Sequence, residues 1–415
     1  MKRFQASEDW TANITGFLII VLTIFQIKPS WPVFAWKNSE GFFDKVLNLD
    51  NLGHILIVFG FMWLLSLFAG KISGKPIKNT VKGFPVVFVL TLIAQLIGGN
   101  QFLQDWGLET VIFSLLIGLF ISNVLSVPEW LKGSLSSELF VKIGLVLLGT
   151  SVIFGDLLQS GALGLIQSVL VVLCVWYFCF WICRKLKIDK ELSIMLSSAV
   201  SICGVSAAIA SAGAIRGDKT KLSYVVSLVL IVAIPMIILM PFLAKWMGLP
   251  ETVAGAWIGG TIDTTGAVVA TGSIYGQKAL ETATIVKFSQ NVLLGIAAFF
   301  ISIYWSYSGQ NKSEEEKPTA RIIWERFPKF VLGFIITSLV FSFLISPDVA
   351  ADSQKIIKKL QGMWFALAFT SIGLETQFRS LINTQNKKAT LAFLGAQAFN
   401  IVFTLILASI LFGAK

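Results

Sequence analysis

Long apolar runs recur along the whole chain, each of about 17–25 residues and separated from the next by a short charged loop. A run of this length crosses the hydrocarbon core of a bilayer as one α-helix, since a helix satisfies its own backbone hydrogen bonds there. Only 13% of the 415 residues are charged, well below the usual fraction in soluble domains. The pattern therefore predicts an all-α polytopic membrane protein.

The loops predict how the chain crosses the membrane. We expect about thirteen crossings with the N-terminus in the cytoplasm, because most Lys and Arg residues then fall in cytoplasmic loops. These loops account for the net charge of +10, so nucleic acid is not expected as a partner. The expected location is the bacterial inner membrane, and the candidate partners are membrane lipid and a second copy of the chain in a homodimer.

Three short internal matches occur in the same order and predict an inverted repeat of five plus five spans. They pair residues 109–111 with 251–253, 141–149 with 286–295, and 201–205 with 370–374. The predicted domains are N-terminal spans with an outer interfacial loop (1–106), a first five-helix repeat (107–250), and an inverted second repeat (251–415) with a cytoplasmic linker at 306–329.

A run of small residues from Ser197 to Arg216 is too polar to face lipid and predicts a helix inside the bundle. We expect this helix to unwind at Gly204, exposing backbone N–H and C=O groups that hold an ion or a substrate. A plain packing helix is the alternative. The repeat predicts a second broken helix at Gly373, crossing the first. The predicted substrate-binding residues here are Ser201, Cys203, Gly204, Val205, Ser206, Ser371 and Gly373.

Two lysines within predicted spans, Lys142 and Lys287, occupy equivalent positions in the repeat. Because a charge inside a bilayer is energetically costly, each is a candidate functional residue. A pair of ammonium groups would attract a small anion, and we predict both as substrate ligands. The alternative for each lysine is that its long side chain reaches the interface.

Asp263 lies in a polar segment, G-G-T-I-D-T-T-G, inside an apolar span. A buried carboxylate there needs a cation, a proton or a paired lysine. We predict a site for a coupling ion, Na⁺ or H⁺, with a purely structural pairing to Lys287 as the alternative. Its predicted residues are Asp263, Thr264, Thr265, Asn123, Gln290 and Asn291. No other cofactor and no transition-metal site is expected.

Several of these motifs resemble a family of uncharacterised bacterial proteins described as sulfate exporters. The resemblance covers about residues 80–415 and is carried by S-I-C-G-V-S-A (Ser201–Ala207), T-I-D-T-T-G-A-V-V-A-T-G-S-I-Y-G (Thr261–Gly276), A-T-I-V-K (Ala283–Lys287), K-I-G-L-V-L-L-G (Lys142–Gly149) and S-I-G-L-E-T (Ser371–Thr376). That family looks related to sodium/proton antiporters and bile-acid symporters. The resemblance implies crossed broken helices and export of sulfate or another sulfur oxyanion.

Two departures from the family pattern bear on the substrate. The family usually has His where this chain has Ile262, and it often has Arg where this chain has Gln290. Both changes remove positive potential from the predicted site. The leading hypothesis is a secondary transporter of a small anion that works by alternating access. A Na⁺- or H⁺-coupled symporter of a small carboxylate and an anion channel are the alternatives. An enzyme is not expected, because no nucleophile–His arrangement stands out.

Overall fold

The computed structural model describes residues 6–105, 110–125, 127–307, 324–325, 327–377 and 387–413. These residues are helical almost throughout, with one isolated bridge between Trp36 and Asn100. The helices discussed below are, in chain order, α1 (Glu8–Ile24), α2 (Leu49–Ile72), α3 (Ile77–Gly98), α4 (Thr110–Phe120), α5 (Ser137–Leu148), α6 (Phe154–Lys185), α7 (Lys190–Ser198), α8 (Val205–Ile215), α9 (Lys219–Trp246), α10 (Glu251–Thr261), α11 (Thr265–Tyr275), α12 (Gln277–Tyr307), α13 (Phe330–Phe343), α14 (Pro347–Glu375) and α15 (Lys387–Phe412).

Six of the described helices, α2, α3, α6, α9, α12 and α15, are long and apolar enough to cross a membrane. Three shorter apolar helices cover Thr110–Leu125, Val205–Ile215 and Phe330–Phe343. The prediction of a polytopic helical membrane protein is confirmed. The number of crossings and the cytoplasmic N-terminus stay predictions.

Helix starts are fixed by side chains that accept from free backbone N–H groups, as capping requires. The Asp189 carboxylate accepts from the N–H of Leu192 and begins α7. The Thr264 hydroxyl accepts from the N–H of Ala267 and begins α11. These local signals divide apolar sequence into separate helices, which allows two consecutive helices to occupy one stretch of about membrane length.

The chain divides into two compact units. The first contains Met1–Phe154 and Lys329–Gln377, and the second contains Gly155–Pro328 and Phe378–Lys415. This division follows contacts in the folded chain, whereas the division predicted from sequence follows an internal repeat. The inverted repeat stays a prediction, and most of the predicted linker at 306–329 lies outside the described residues.

In the first unit, α14 runs without interruption from Pro347 to Glu375. The predicted break at Gly373 is therefore wrong. A Cβ atom added at Gly373 would lie 2.5 Å from the Leu115 carbonyl oxygen and 2.8 Å from the Gly118 Cα atom. A glycine is needed at position 373 because α14 and α4 pack closely there. Close packing and helix unwinding both favour glycine, so the sequence alone does not distinguish them.

The described part of the second unit contains two interrupted helical segments. Helix α7 continues into a π-helical turn at Ala199–Cys203, and α8 begins after Gly204. Helix α10 ends at Thr261, and α11 begins after the extended residues Ile262 and Thr264. Their neighbours in this unit include α12 and α15, which supply the polar side chains described next.

Candidate functional site

The first interruption depends on the backbone of Gly204. This residue has φ +60° and ψ −113°, a conformation that residues with a Cβ atom rarely adopt. An added Cβ would lie 2.8 Å from Val229 Cγ1 and 3.1 Å from Asp263 Cβ. Gly204 thus redirects the chain and lets it approach Asp263 of the second interruption.

The interruptions leave helix C-terminal carbonyl groups without the intrahelical partners they would otherwise have. In the second unit these carbonyls belong to consecutive residues of each segment, 200–202 and 260–262. An uncompensated carbonyl buried in protein or membrane is destabilising. Side chains from α12 and α15 supply the missing donors.

Lys287 of α12 joins the two interruptions directly. Its ammonium group donates to the Ile202 carbonyl at 2.8 Å, the Ile262 carbonyl at 2.8 Å and the Gln290 side-chain oxygen at 2.7 Å. The side chain is only 1% exposed. An ammonium group has three N–H bonds. All three are used, so no donor is left on Lys287 for an anion.

Two amides complete the same pattern. The Gln290 amide donates to the Ser201 carbonyl at 2.9 Å and the Gly260 carbonyl at 3.3 Å. The Asn400 amide of α15 lies 3.2 Å from the carbonyls of Val200 and Thr261. We call Lys287, Gln290 and Asn400 the carbonyl clamp. Each member contacts one carbonyl from each interrupted segment, so the clamp fixes the two segments against each other.

The opposite ends of the breaks, the starts of α8 and α11, are more accessible. Ser206 at the start of α8 is exposed, and Thr264, Thr265 and Gly266 at the start of α11 are half-buried. The first N–H groups of a helix have no intrahelical acceptor, and the helix dipole makes that end positive. The site is thus polarised, with clamped carbonyls in the interior and helix N-terminal ends at its accessible side.

Asp263 lies between these parts and is 2% exposed. In the described part of the chain, its Oδ2 atom has no hydrogen-bond partner, and no ion pair joins Asp263 to Lys287. The two charges still attract each other at longer range, so a structural Asp263–Lys287 pairing stays a prediction. Nearby, the Asn291 amide donates to the Thr265 hydroxyl at 3.2 Å.

Most of the predicted site residues lie in this second unit. They are Ser201, Cys203, Gly204, Val205, Ser206, Asp263, Thr264, Thr265, Lys287, Gln290 and Asn291. The Ser201 hydroxyl is already bonded to the Ser197 carbonyl, at 2.7 Å. The Cys203 side chain is buried. Of the predicted substrate ligands in this unit, Val205 and Ser206 are therefore the ones with accessible surface.

The remaining predicted residues belong to the first unit. Lys142 is paired with Glu8 at 2.7 Å, Asp9 at 3.0 Å and Glu138 at 3.4 Å. Three carboxylates thus surround one ammonium group that was predicted to bind substrate. This cluster holds the start of α1 against α5, which is a structural role.

Asn123 and Ser371 are also held by bonds within the first unit. The Asn123 amide lies 2.8 Å from the Leu119 carbonyl and 3.0 Å from the Thr376 carbonyl. The Ser371 hydroxyl donates to the Leu367 carbonyl at 2.8 Å and is fully buried.

Comparison with known proteins places the chain in a family. Residues 82–392 match the family described as Conserved hypothetical protein 698. A UPF0324 membrane protein of Rhodopirellula baltica is 40% identical over 367 residues, which cover 86% of this chain and 68% of the relative. The chain belongs to the UPF0324 membrane protein family.

Two further UPF0324 relatives come from Nitratidesulfovibrio vulgaris. They are 36% and 35% identical over 89% and 87% of this chain, which spans only 65% and 64% of their own length. No solved structure matches the chain. Membership of the UPF0324 family agrees with the predicted membrane location, and the sulfate exporter resemblance stays a prediction.

Sequence reasoning missed two residues of this UPF0324 site, Gln397 and Asn400. Both are buried amides of α15, and the Gln397 amide donates to the Thr261 carbonyl at 3.0 Å. The available signal was their presence in the apolar span at 389–412, where a polar side chain is costly and marks a functional or structural contact.

The carbonyl clamp predicts that this UPF0324 protein is sensitive to loss of the Asn400 amide. Asn400→Leu would remove the side-chain donor of the buried Val200 carbonyl and leave the Thr261 carbonyl with the Gln397 amide, and we expect about 2 kcal/mol of destabilisation. Thermal unfolding in detergent measures the change. Thr404→Val is the matched control, because it removes only the hydroxyl that donates to the Asn400 side-chain oxygen. Equal stability of the two variants would contradict the clamp.

Proposed function

We propose that this protein is a secondary transporter of a small anion, which binds between the starts of α8 and α11. The observation that carries the proposal is the polarity of the two breaks. Their carbonyls are buried and bonded by Lys287, Gln290 and Asn400, whereas their N–H ends lie at the accessible side. Helix N-terminal ends attract anions, and discontinuous helices form substrate sites in transporters.

The proposal assigns different roles to the predicted residues. Val205, Ser206 and the segment Thr264–Gly266 supply backbone N–H groups and hydroxyls to the anion. Lys287 acts as a positioning residue, because its three donors hold backbone and Gln290 oxygens. Its positive charge offsets the negative C-terminal ends of α10 and the Ala199–Cys203 turn. Access to the site alternates between the two faces of the bacterial inner membrane.

The substrate class that fits this site is a small oxyanion. Two helix starts offer several N–H donors but no uncommitted lysine, which favours an anion recognised by hydrogen bonds more than by ion pairing. Sulfate, another sulfur oxyanion, a sulfonate and a small carboxylate share this chemistry. Ile262 and Gln290 add no positive charge, which favours a singly charged group over a doubly charged one.

An acidic substitution at the start of α8 tests the anion site. Ser206→Asp should weaken anion binding by at least about tenfold, because a like charge at the site repels the ligand by several kcal/mol. An acidic residue in the first turn stabilises a helix, so the fold should be retained. The measurement is thermal stabilisation of purified protein by inorganic sulfate, a small sulfonate and a small carboxylate.

Ser206→Asn is the control for this substitution, because it has nearly the same size and no charge. It should respond to anions as the unchanged protein does. Equal responses of the aspartate and asparagine variants would contradict the proposed site. Flux into liposomes then separates a transporter, whose rate saturates with substrate, from a channel, which passes current.

A further inference from the structure

We propose that the second interruption binds a monovalent metal cation of the Na⁺ class, with the Asp263 carboxylate and the Asn291 side-chain oxygen as protein ligands. The site lies where α10 gives way to α11. Its role as the coupling site of a transporter rests on the proposed function. Its ability to bind Na⁺ does not, because it has separate evidence. That evidence is a pair of buried oxygen atoms without partners.

Asp263 Oδ2 and Asn291 Oδ1 are both buried and accept no hydrogen bond within the described residues. Asp263 is 2% exposed and Asn291 is 6% exposed, so bulk water does not solvate them. Buried polar atoms are nearly always paired with protein, ordered water or an ion. Two unpaired acceptors beside one helix start therefore indicate a missing electropositive partner.

The Asn291 amide fixes where its oxygen lies. Its nitrogen donates to the Thr265 hydroxyl at 3.2 Å. Thr265 is two residues after Asp263, so this bond places the Asn291 side chain of α12 beside the start of α11. Donation to Thr265 keeps the amide oxygen free for another ligand. In the opposite orientation of the amide, the oxygen would accept from the Thr265 hydroxyl and the NH₂ group would be the one without a partner.

Lysine does not supply the missing partner. The ammonium group of Lys287 is buried in the same unit, but its three N–H bonds go to Ile202, Ile262 and Gln290. Asp263 is therefore a buried carboxylate without a direct ion pair. The Lys287 charge attracts Asp263 without a direct bond, so the buried carboxylate oxygen still lacks a donor, a proton or a cation.

A proton satisfies this site less well than a cation does. A proton on Asp263 neutralises the carboxylate but supplies only one O–H donor, whereas a cation accepts lone pairs from several oxygens at once. A cation of the Na⁺ class bridges two oxygens at longer separation. Carboxylate and amide oxygens are the ligands that hard cations prefer.

The test measures Na⁺ binding directly and requires no transport. Thermal unfolding of the full chain in detergent is followed as NaCl replaces choline chloride at constant pH, ionic strength and chloride. We expect Na⁺ to raise the unfolding temperature. Asp263→Asn should abolish this rise, and Asn291→Leu should weaken the apparent Na⁺ affinity by more than about tenfold, since loss of even an outer-shell partner often costs that much.

Two further variants keep the test decisive if Asn291→Leu folds poorly. Asn291→Asp keeps the shape and adds a carboxylate, so it should bind Na⁺ more tightly. Asn123→Leu is the matched control, because its amide in the first unit is bonded to carbonyls and should leave the Na⁺ response unchanged. Constant chloride separates this result from the anion site.

The inference is overturned if Na⁺ and choline give equal unfolding temperatures in the unchanged protein. It is also overturned if the Na⁺ response survives in both Asp263→Asn and Asn291→Leu. Stability that depends on pH but not on Na⁺ would indicate that a proton neutralises the Asp263 carboxylate instead. A positive Na⁺ result together with failure of the sulfate, sulfonate and carboxylate screen would retain the cation site and reject the proposed anion.

Discussion

Lys287→Met is expected to destabilise the protein by about 3–5 kcal/mol, the largest effect among the predictions for this chain. The methionine keeps most of the side-chain volume but removes three donors. The carbonyls of Ile202 and Ile262 and the Gln290 side-chain oxygen would then be buried without that partner. Chemical denaturation in detergent, with the midpoint and slope compared, measures the loss.

Lys142→Met is the matched control for this prediction. Lys142 is also tied by short bonds, but its side chain is 17% exposed and its partners are carboxylates that water can solvate. We expect its loss to cost about 1 kcal/mol. If Lys287→Met were as stable as the unchanged protein and bound anions less tightly, Lys287 would be a substrate ligand rather than a positioning residue.

Gly204→Ala is expected to cost about 3 kcal/mol and to abolish transport. Part of this is backbone strain of about 1–3 kcal/mol, because φ of +60° with ψ of −113° disfavours a residue with a Cβ atom. The rest is overpacking, since the new Cβ would lie 2.8 Å from Val229 Cγ1. Thermal unfolding measures the loss of stability, and anion flux into liposomes measures the loss of transport.

Gly248→Ala separates strain from overpacking. Gly248 also has a positive φ, +64°, but a Cβ added there meets no atom within 4 Å. This variant should lose only the strain contribution and retain transport. A similar loss of stability in both alanine variants would show that the contact between Gly204 and the second interruption contributes little.

The interruption at Gly204 could be predicted because its signal is local. A helix of small residues with hydroxyls around one glycine is unsuited to lipid, which indicates a buried and irregular segment. The second interruption was misplaced at Gly373 because its prediction depended on short repeat matches. Glycine permits both unwinding and close helix packing, and only the neighbour, here Gly118, decides between them.

The carbonyl clamp lay beyond sequence reasoning for a different reason. The charge of Lys287 and the amides of Gln290 and Asn400 can be recognised in apolar spans as unusual. Their partners are backbone carbonyls, which every residue has and which no pattern of side chains reveals. For the same reason, the sequence could mark Lys142 as notable but could not show that Glu8 and Asp9 neutralise it.

The clamp has a mechanical consequence. Each of its three side chains contacts one carbonyl before Gly204 and one before Asp263. Sliding one interrupted segment along the other would break all three connections together, inside a region where water does not replace them. The two segments should therefore travel as a single rigid piece, and the flexibility that opens and closes the site must reside in parts of the chain outside the clamp.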